Sequence, residues 1–121
     1  MFAIAVDDKG TVLLSRRFDA ARVPEAEAVF DGISTTTRVD MHDLAYISSA
    51  GLGVLFTMKK FLRQNGGELV FFNMKPQIVR LFEIVNALPK ETLFKDAEEA
   101  DAYLYKMMNK DSELKKDGEN D

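Results

Sequence analysis

Apolar residues recur along this chain at two alternating periods, and the alternation predicts the architecture. Phe2 to Val6 and Thr11 to Arg17 are β-rich runs joined by Asp7-Asp8-Lys9-Gly10, a polar turn ending in glycine, so together they predict a hairpin. Pro24 fits the first position of a helix over 24–33, with Ala26, Val29, Phe30 and Ile33 on one side. The next strand is read over 36–41. A second helix runs from about Ala50 to Gln64 and is stopped by Asn65-Gly66-Gly67.

Glu68 to Phe72 is nearly all apolar, as a strand covered on both faces requires. Lys75 to Ala87 opens with Pro76 and aligns Ile78, Leu81, Phe82, Val85 and Leu88 on one face of a helix. Thr92-Leu93-Phe94 predicts a short edge strand. Asp96 predicts the cap of a last helix in which Ala97, Ala100, Leu104, Met107 and Met108 share a face. From Asn109 onward only Leu114 is apolar, so 109–121 reads as a disordered charged tail and 1–108 as one domain. Strands alternating with helices imply an α/β fold, a mixed or parallel sheet with helices packed on it.

Composition narrows the function. The chain has 121 residues, enough for a single core, and with 46% hydrophobic and 30% charged residues it falls in the ordinary soluble range. A net charge of −4 without a dense basic stripe argues against nucleic acid as the partner. With no cysteine no disulfide forms, and the first apolar run stops at Asp7-Asp8, too short for a signal sequence or a membrane span. A cytoplasmic protein without membrane insertion is expected.

The segment Tyr46-Ile47-Ser48-Ser49-Ala50-Gly51-Leu52-Gly53 places two serines where an extended run turns into a helix. The first turn of a helix has free N–H groups and a partial positive charge, which favour an anion there by ~0.3–1 kcal/mol. Ser49 is thus open to two roles, a reversible phosphoacceptor or a plain helix cap. Catalysis finds little support. A hydrolase elbow needs glycine two residues before the nucleophile, where Ile47 stands, and the one histidine, His42, is seven residues upstream of Ser49. Asp40 with Asp43 is too sparse for a metal site, and Gly51-Leu52-Gly53 lacks the lysine of a phosphate-binding loop. No enzyme activity and no cofactor are expected.

On a helical projection of residues 52–64, Val54, Leu55, Met58, Phe61 and Leu62 form the expected core face, with Gly53, Thr57, Lys60 and Gln64 opposite. Ser49, Gly53, Phe56 and Lys60 make a candidate partner-facing strip, and the bare Cα atoms of Gly51 and Gly53 would let another backbone come close to Ser49. Phe56 is also open to a peripheral core role, and Lys60 to that of a solvated charge.

The serine segment resembles the signature of STAS domains, the family of anti-sigma factor antagonists, in which a serine lies in an Asp-Ser-Ser/Thr-Gly-Leu-Gly turn before a helix. The likeness extends to Phe18-Asp19-Ala20-Ala21, to Asp40-Met41-His42-Asp43-Leu44 as the strand end before the signature, to Gly66-Gly67-Glu68-Leu69-Val70, and to Pro76 through Phe82. It implies a STAS-like mixed sheet of four to five strands with helices mainly on one side. Aligning Gly51-Leu52-Gly53 with the family's Gly-Leu-Gly makes Ser49 the phosphorylated serine and puts Ser48 where the family has Asp. Asp19 and Asp40 match family positions near the switch, Arg17 stands where glycine is frequent, and the segment between Asp19 and Asp40 is shorter than usual.

The resemblance further implies a partner-switching antagonist. Unphosphorylated, it would hold an anti-sigma factor that is a serine kinase of the histidine-kinase-like ATPase fold; phosphorylation would release it, and a metal-dependent serine phosphatase would restore it. Ser48, Gly51, Gly53, Phe56, Lys60, Asp19 and Asp40 are the expected partner-binding residues, with Ser49 the modified one. The alternative is a STAS module that is not switched, a regulatory or structural subunit of a transporter or signalling assembly.

Overall fold

Turn chemistry organises the first two strands. In the computed structural model, which describes residues 2–85 and 93–107, the Asp7 carboxylate Oδ1 accepts from the N–H groups of Lys9 and Thr11, each at 2.9 Å. Gly10 takes the left-handed φ of +82° that closes the turn. Strand β1 (Phe2–Val6) is thereby held antiparallel to β2 (Val12–Phe18). A single 3-10 turn, Ala20–Arg22, leads into α1 (Val23–Phe30). There follow β3 (Thr37–Ile47), α2 (Ser49–Gln64), β4 (Leu69–Phe72), α3 (Pro76–Val85) and β5 (Leu93–Phe94). Helix α4 spans 97–107, its first turn capped by the Asp96 carboxylate, which accepts the Glu99 N–H at 2.9 Å.

The sheet is five-stranded and mixed, in the order β1-β2-β3-β4-β5, with only the first pair antiparallel. Val12, Leu14 and Phe18 of β2 and Val39, Met41, Leu44 and Ile47 of β3 meet Leu52, Leu55 and Leu62 of α2 and Ile78 and Phe82 of α3. Each such side chain contributes roughly 1.5–3 kcal/mol by leaving water. The alternate residues of β4, Val70 and Phe72, point to the other face and pack with Ala100 of α4. Three helices thus cover one face and α4 part of the other, the arrangement expected from the sequence.

Two expectations change. Strand β3 continues to Ile47 instead of ending at Met41, because its buried positions pass from a spacing of two (Thr37, Val39, Met41) to a spacing of three (Leu44, Ile47). The extra residues are taken up where its register against β2 shifts, opposite Leu13/Ser15 and Arg16/Arg17, with Arg16 itself left-handed at φ +70°. Ile33 lies beyond the end of α1, although it still packs against the core. Leu88, Thr92, Met108, residues 109–121 and the Val85 side chain lie outside the described residues.

Helix α2 is also rotated from its expected setting. Its buried stripe is Leu52, Leu55, Met58, Lys59 and Leu62, while Phe61 is 46% exposed and Val54 half-buried. The cause is Lys59. Its ammonium, almost wholly out of solvent, donates to Glu68 Oε1 at 2.7 Å and to the Leu69 carbonyl at 2.9 Å, tying α2 to the start of β4. Glu68 is completed by the Leu69 N–H at 3.0 Å and by Arg63 Nε at 3.3 Å. Lys59→Met leaves Glu68 without its main counter-charge and is expected to cost on the order of 3 kcal/mol. Adding Glu68→Leu should recover most of that loss, as read from urea unfolding midpoints.

Candidate functional site

The junction between β3 and α2 is built from three consecutive devices. The Ser48 N–H donates to the Phe18 carbonyl at 2.9 Å, which fastens the end of β3 to the end of β2. Ser48 itself is extended (φ −85°, ψ 170°), and its Oγ accepts the Gly51 N–H at 3.1 Å. Ser48 is therefore the helix cap, and Ser49 the first residue of α2. The capping role left open for Ser49 is already filled. Ser49 is exposed, and its hydroxyl has no hydrogen-bond partner among the described residues.

Gly51 serves the inside of the molecule rather than leaving space for another backbone. A Cβ at this position would stand 2.9 Å from Ile47 Cγ1 and 3.0 Å from the Phe18 carbonyl oxygen, so only glycine lets α2 lie this close to the strand ends. Gly53 differs: a Cβ there would meet nothing within 4 Å. Ser49, Gly53, Phe56 and Lys60 recur at i, i+4, i+7 and i+11 and share one face of α2. Lys60 is exposed and has no ion pair among the described residues. Phe56 is half-buried and packs against the main core, so it unites the two roles open to it.

The two aspartates separate. Asp19 directly follows Phe18, whose carbonyl holds Ser48, and its Oδ1 is buried with no hydrogen-bond partner among the described residues. Asp40 lies in the middle of β3, seven residues before Ile47, roughly 20 Å along the strand. Its neighbours Val39 and Met41 enter the main core, so Asp40 points to the opposite face of the sheet. There its Oδ1 accepts from the His42 N–H at 2.9 Å and from Asn73 Nδ2 at 3.2 Å. The structure does not bring Asp40 to the Ser49 strip. His42 is exposed beside Asp43, five residues before Ile47 in the same strand, also remote from Ser49. Among the described residues no group of three or more His, Cys, Asp or Glu side chains is placed to hold a metal. None of the described helices is long and apolar enough to cross a membrane.

The rotation of α2 opens a feature that the sequence pattern concealed. Phe30 and Ile33 on the α1 side and Val54, Met58 and Phe61 on α2 line a groove of about 480 Å³, reached also by Ala50 and Gly53 next to the strip. Glu27 and Asp31 stand at its rim. Of the residues expected on the core face of α2, Val54 still packs against the core while lining the groove, whereas Phe61 leaves it. The one signal in the sequence was Gly51 together with Lys59: the glycine forces one edge of α2 inward, and Lys59 finds a counter-charge in Glu68.

Residues 10–100 match the STAS domain, three-quarters of the chain and every element from β2 into α4. The chain belongs to the STAS family. The anti-sigma-B factor antagonist of Listeria monocytogenes is 40% identical to this STAS domain in a 70-residue alignment that covers 55% of this chain and 60% of that protein. The chain thus spans about 60% of the length of the curated relatives it matches first. Among solved structures, SpoIIAA in its unphosphorylated form superposes with a TM-score of 0.59 at 22% identity, covering 84% of this chain and 94% of that one. The Bacillus SpoIIAA structure in the phosphorylated form gives 0.56 at 20% identity, covering 86% and 99%. A sulfate transporter family protein from Wolinella succinogenes gives 0.67 at 17% identity, covering 87% and 92%, so the fold is shared well beyond antagonists.

The two serines of this STAS domain should separate in thermal melts. Ser48→Ala removes the cap and is expected to cost about 1 kcal/mol, whereas Ser49→Ala should stay within ~0.5 kcal/mol of the parent.

Proposed function

We propose that this STAS domain is an anti-sigma factor antagonist switched at Ser49. Unphosphorylated, it docks the Ser49–Lys60 face of α2 on an anti-sigma factor that is also a serine kinase of the histidine-kinase-like ATPase fold. Phosphorylation at Ser49 releases it, and a metal-dependent serine phosphatase returns it to the binding form. The setting is the cytoplasm. The observation that carries this reading is the division of labour at the helix start: Ser48 caps, and the Ser49 hydroxyl is exposed and has no partner among the described residues. The name carried by the Listeria relative supports the same role. The transporter-subunit alternative has the fold in its favour but no use for a free hydroxyl at this helix end.

The chemistry asked of this chain is modest. Ser49 Oγ attacks the γ-phosphorus of the nucleotide, its O–P bond forms as the bond to the β-phosphate oxygen breaks, and its proton passes to a base on the kinase. The kinase also brings ATP and magnesium. Asp19, beside the junction, is half-buried, and the part of its side chain left at the surface is what the partner would meet.

Magnitudes explain how the phosphate would work as a switch. It adds about −1.5 to −2 charge, which the free amides and dipole of the α2 N-terminus accommodate in the isolated protein. Enclosed in an interface without a counter-charge, such a charge costs on the order of 3–5 kcal/mol. At ~1.4 kcal/mol per decade this removes two or more decades of affinity.

Incubation with the partner kinase and ATP should add one phosphate, located on Ser49 by mass spectrometry. Ser49→Ala should abolish it and Ser48→Ala should retain most of it. Ser49→Asp should bind the kinase at least ~10-fold more weakly in calorimetric titration with an unchanged melting temperature. Phosphate found on Ser48, or tight binding by a folded Ser49→Asp protein, would overturn the assignment.

A further inference from the structure

We infer that the groove between α1 and α2 takes a short segment of a protein partner carrying an apolar side chain with a lysine or arginine beside it. This inference rests on the binding-protein reading above and adds a second contact to it.

The walls are the first observation. Phe30, Ile33, Val54, Met58 and Phe61 surround about 480 Å³, a volume in the range of sites that bury small organic groups. Phe61, 46% exposed, stands as an uncovered wall.

The rim is the second. Glu27 and Asp31 lie one turn apart on the exposed side of α1, and neither has an ion pair among the described residues. Like charges four residues apart repel, and Asp31 sits at the C-terminal end of α1, where a carboxylate opposes the helix dipole and no basic residue occupies the last turn. Within the chain this placement is unfavourable on both counts. A cation brought to the groove would be met by both carboxylates.

The third is Gly53. Glycine weakens a helix interior, and here no left-handed backbone and no close neighbour among the described residues requires it, since a Cβ would meet none of them within 4 Å. Gly51, two residues earlier, shows the contrast, with its side-chain space filled by Ile47 and Phe18. What the missing side chain at position 53 does is widen the groove where it joins the Ser49 strip. A partner lying along Ser49 reaches the groove across Gly53 and Ala50.

A second copy of this chain is a poor occupant, because it carries a net charge of −4 toward an acidic rim. The groove and strip together set an orientation: the basic group of the incoming segment lies toward α1, and the opposite flank of the partner faces Lys60. Such a bipolar surface discriminates between docking directions more than it adds raw affinity.

The test uses the full chain, isotope-labelled and followed by amide NMR. The probe is a short synthetic helical peptide with a leucine face bordered by lysines, beside a counterpart with glutamates in place of the lysines. The lysine peptide should shift the amides of Gly53, Thr57 and Phe61 saturably, and the glutamate peptide should not. Gly53→Leu, which fills the groove, and Glu27→Lys combined with Asp31→Lys should each weaken lysine-peptide binding by at least ~10-fold while the melting temperature stays at or above that of the parent. Unmoved groove amides, equal binding of both peptides, or parent-like binding by both variants overturns the inference. Ser49→Ala should leave peptide binding intact while abolishing phosphorylation by the kinase. Loss of the switch therefore shows up separately from loss of the groove.

Discussion

The bond from the Ser48 N–H to the Phe18 carbonyl, with Gly51 packed over it, decides where α2 begins. A strand end and a helix start each leave backbone groups that need partners. Here one serine serves both, giving its N–H to β2 and its Oγ to the first turn of α2. Gly51 makes the arrangement possible, because any side chain there would push the helix off Ile47 and Phe18. With Ser48 committed twice, its neighbour is left in solvent. The exposure of Ser49 follows from the backbone accounting of the residue before it.

A second constraint acts at the other end of the same helix. Lys59 and Glu68, both nearly out of solvent, hold α2 to β4 and fix its rotation. A buried ion pair is weak evidence for net stability, since desolvation offsets most of its attraction, but it discriminates strongly between rotational settings of the helix. The setting it selects turns Val54 and Phe61 toward α1. Strip and groove are two flanks of one helix, positioned by glycine packing at its start and by an ion pair near its end.

Much of this was legible in the residues. The hairpin follows from Asp7 and Gly10 and the cap of α4 from Asp96, because each depends on contacts close in sequence, and the doubly covered β4 shows in its unbroken apolar run. Errors arose where distant contacts override local pattern. β3 was cut short because its bulges replace a period of two by a period of three, and bulges are set by the neighbouring strand. The α2 face was misplaced because a lysine was counted as polar without its glutamate nine residues on. Ser49 stands out in the sequence by its place before a glycine-rich helix start, but that it does not cap the helix is visible only in the Ser48 geometry. The motif groups Asp40 with the candidate site, whereas strand alternation sends it to the other face of the sheet.

The separation of cap and free hydroxyl has a bearing on the protein's lifetime. Quality-control proteases and chaperones sample the unfolded fraction, so a change that shifts folding equilibrium by even ~1–2 kcal/mol alters abundance several-fold. Had one serine both capped α2 and offered its hydroxyl to solvent, every chemical event at that hydroxyl would also have changed the rate at which the molecule is destroyed. With capping assigned to Ser48, the modification proposed at Ser49 leaves the cap intact, and a negative charge at the helix start adds to the folded fraction instead of subtracting from it. If Ser49 is modified as proposed, one population of molecules can pass through many cycles without being replaced.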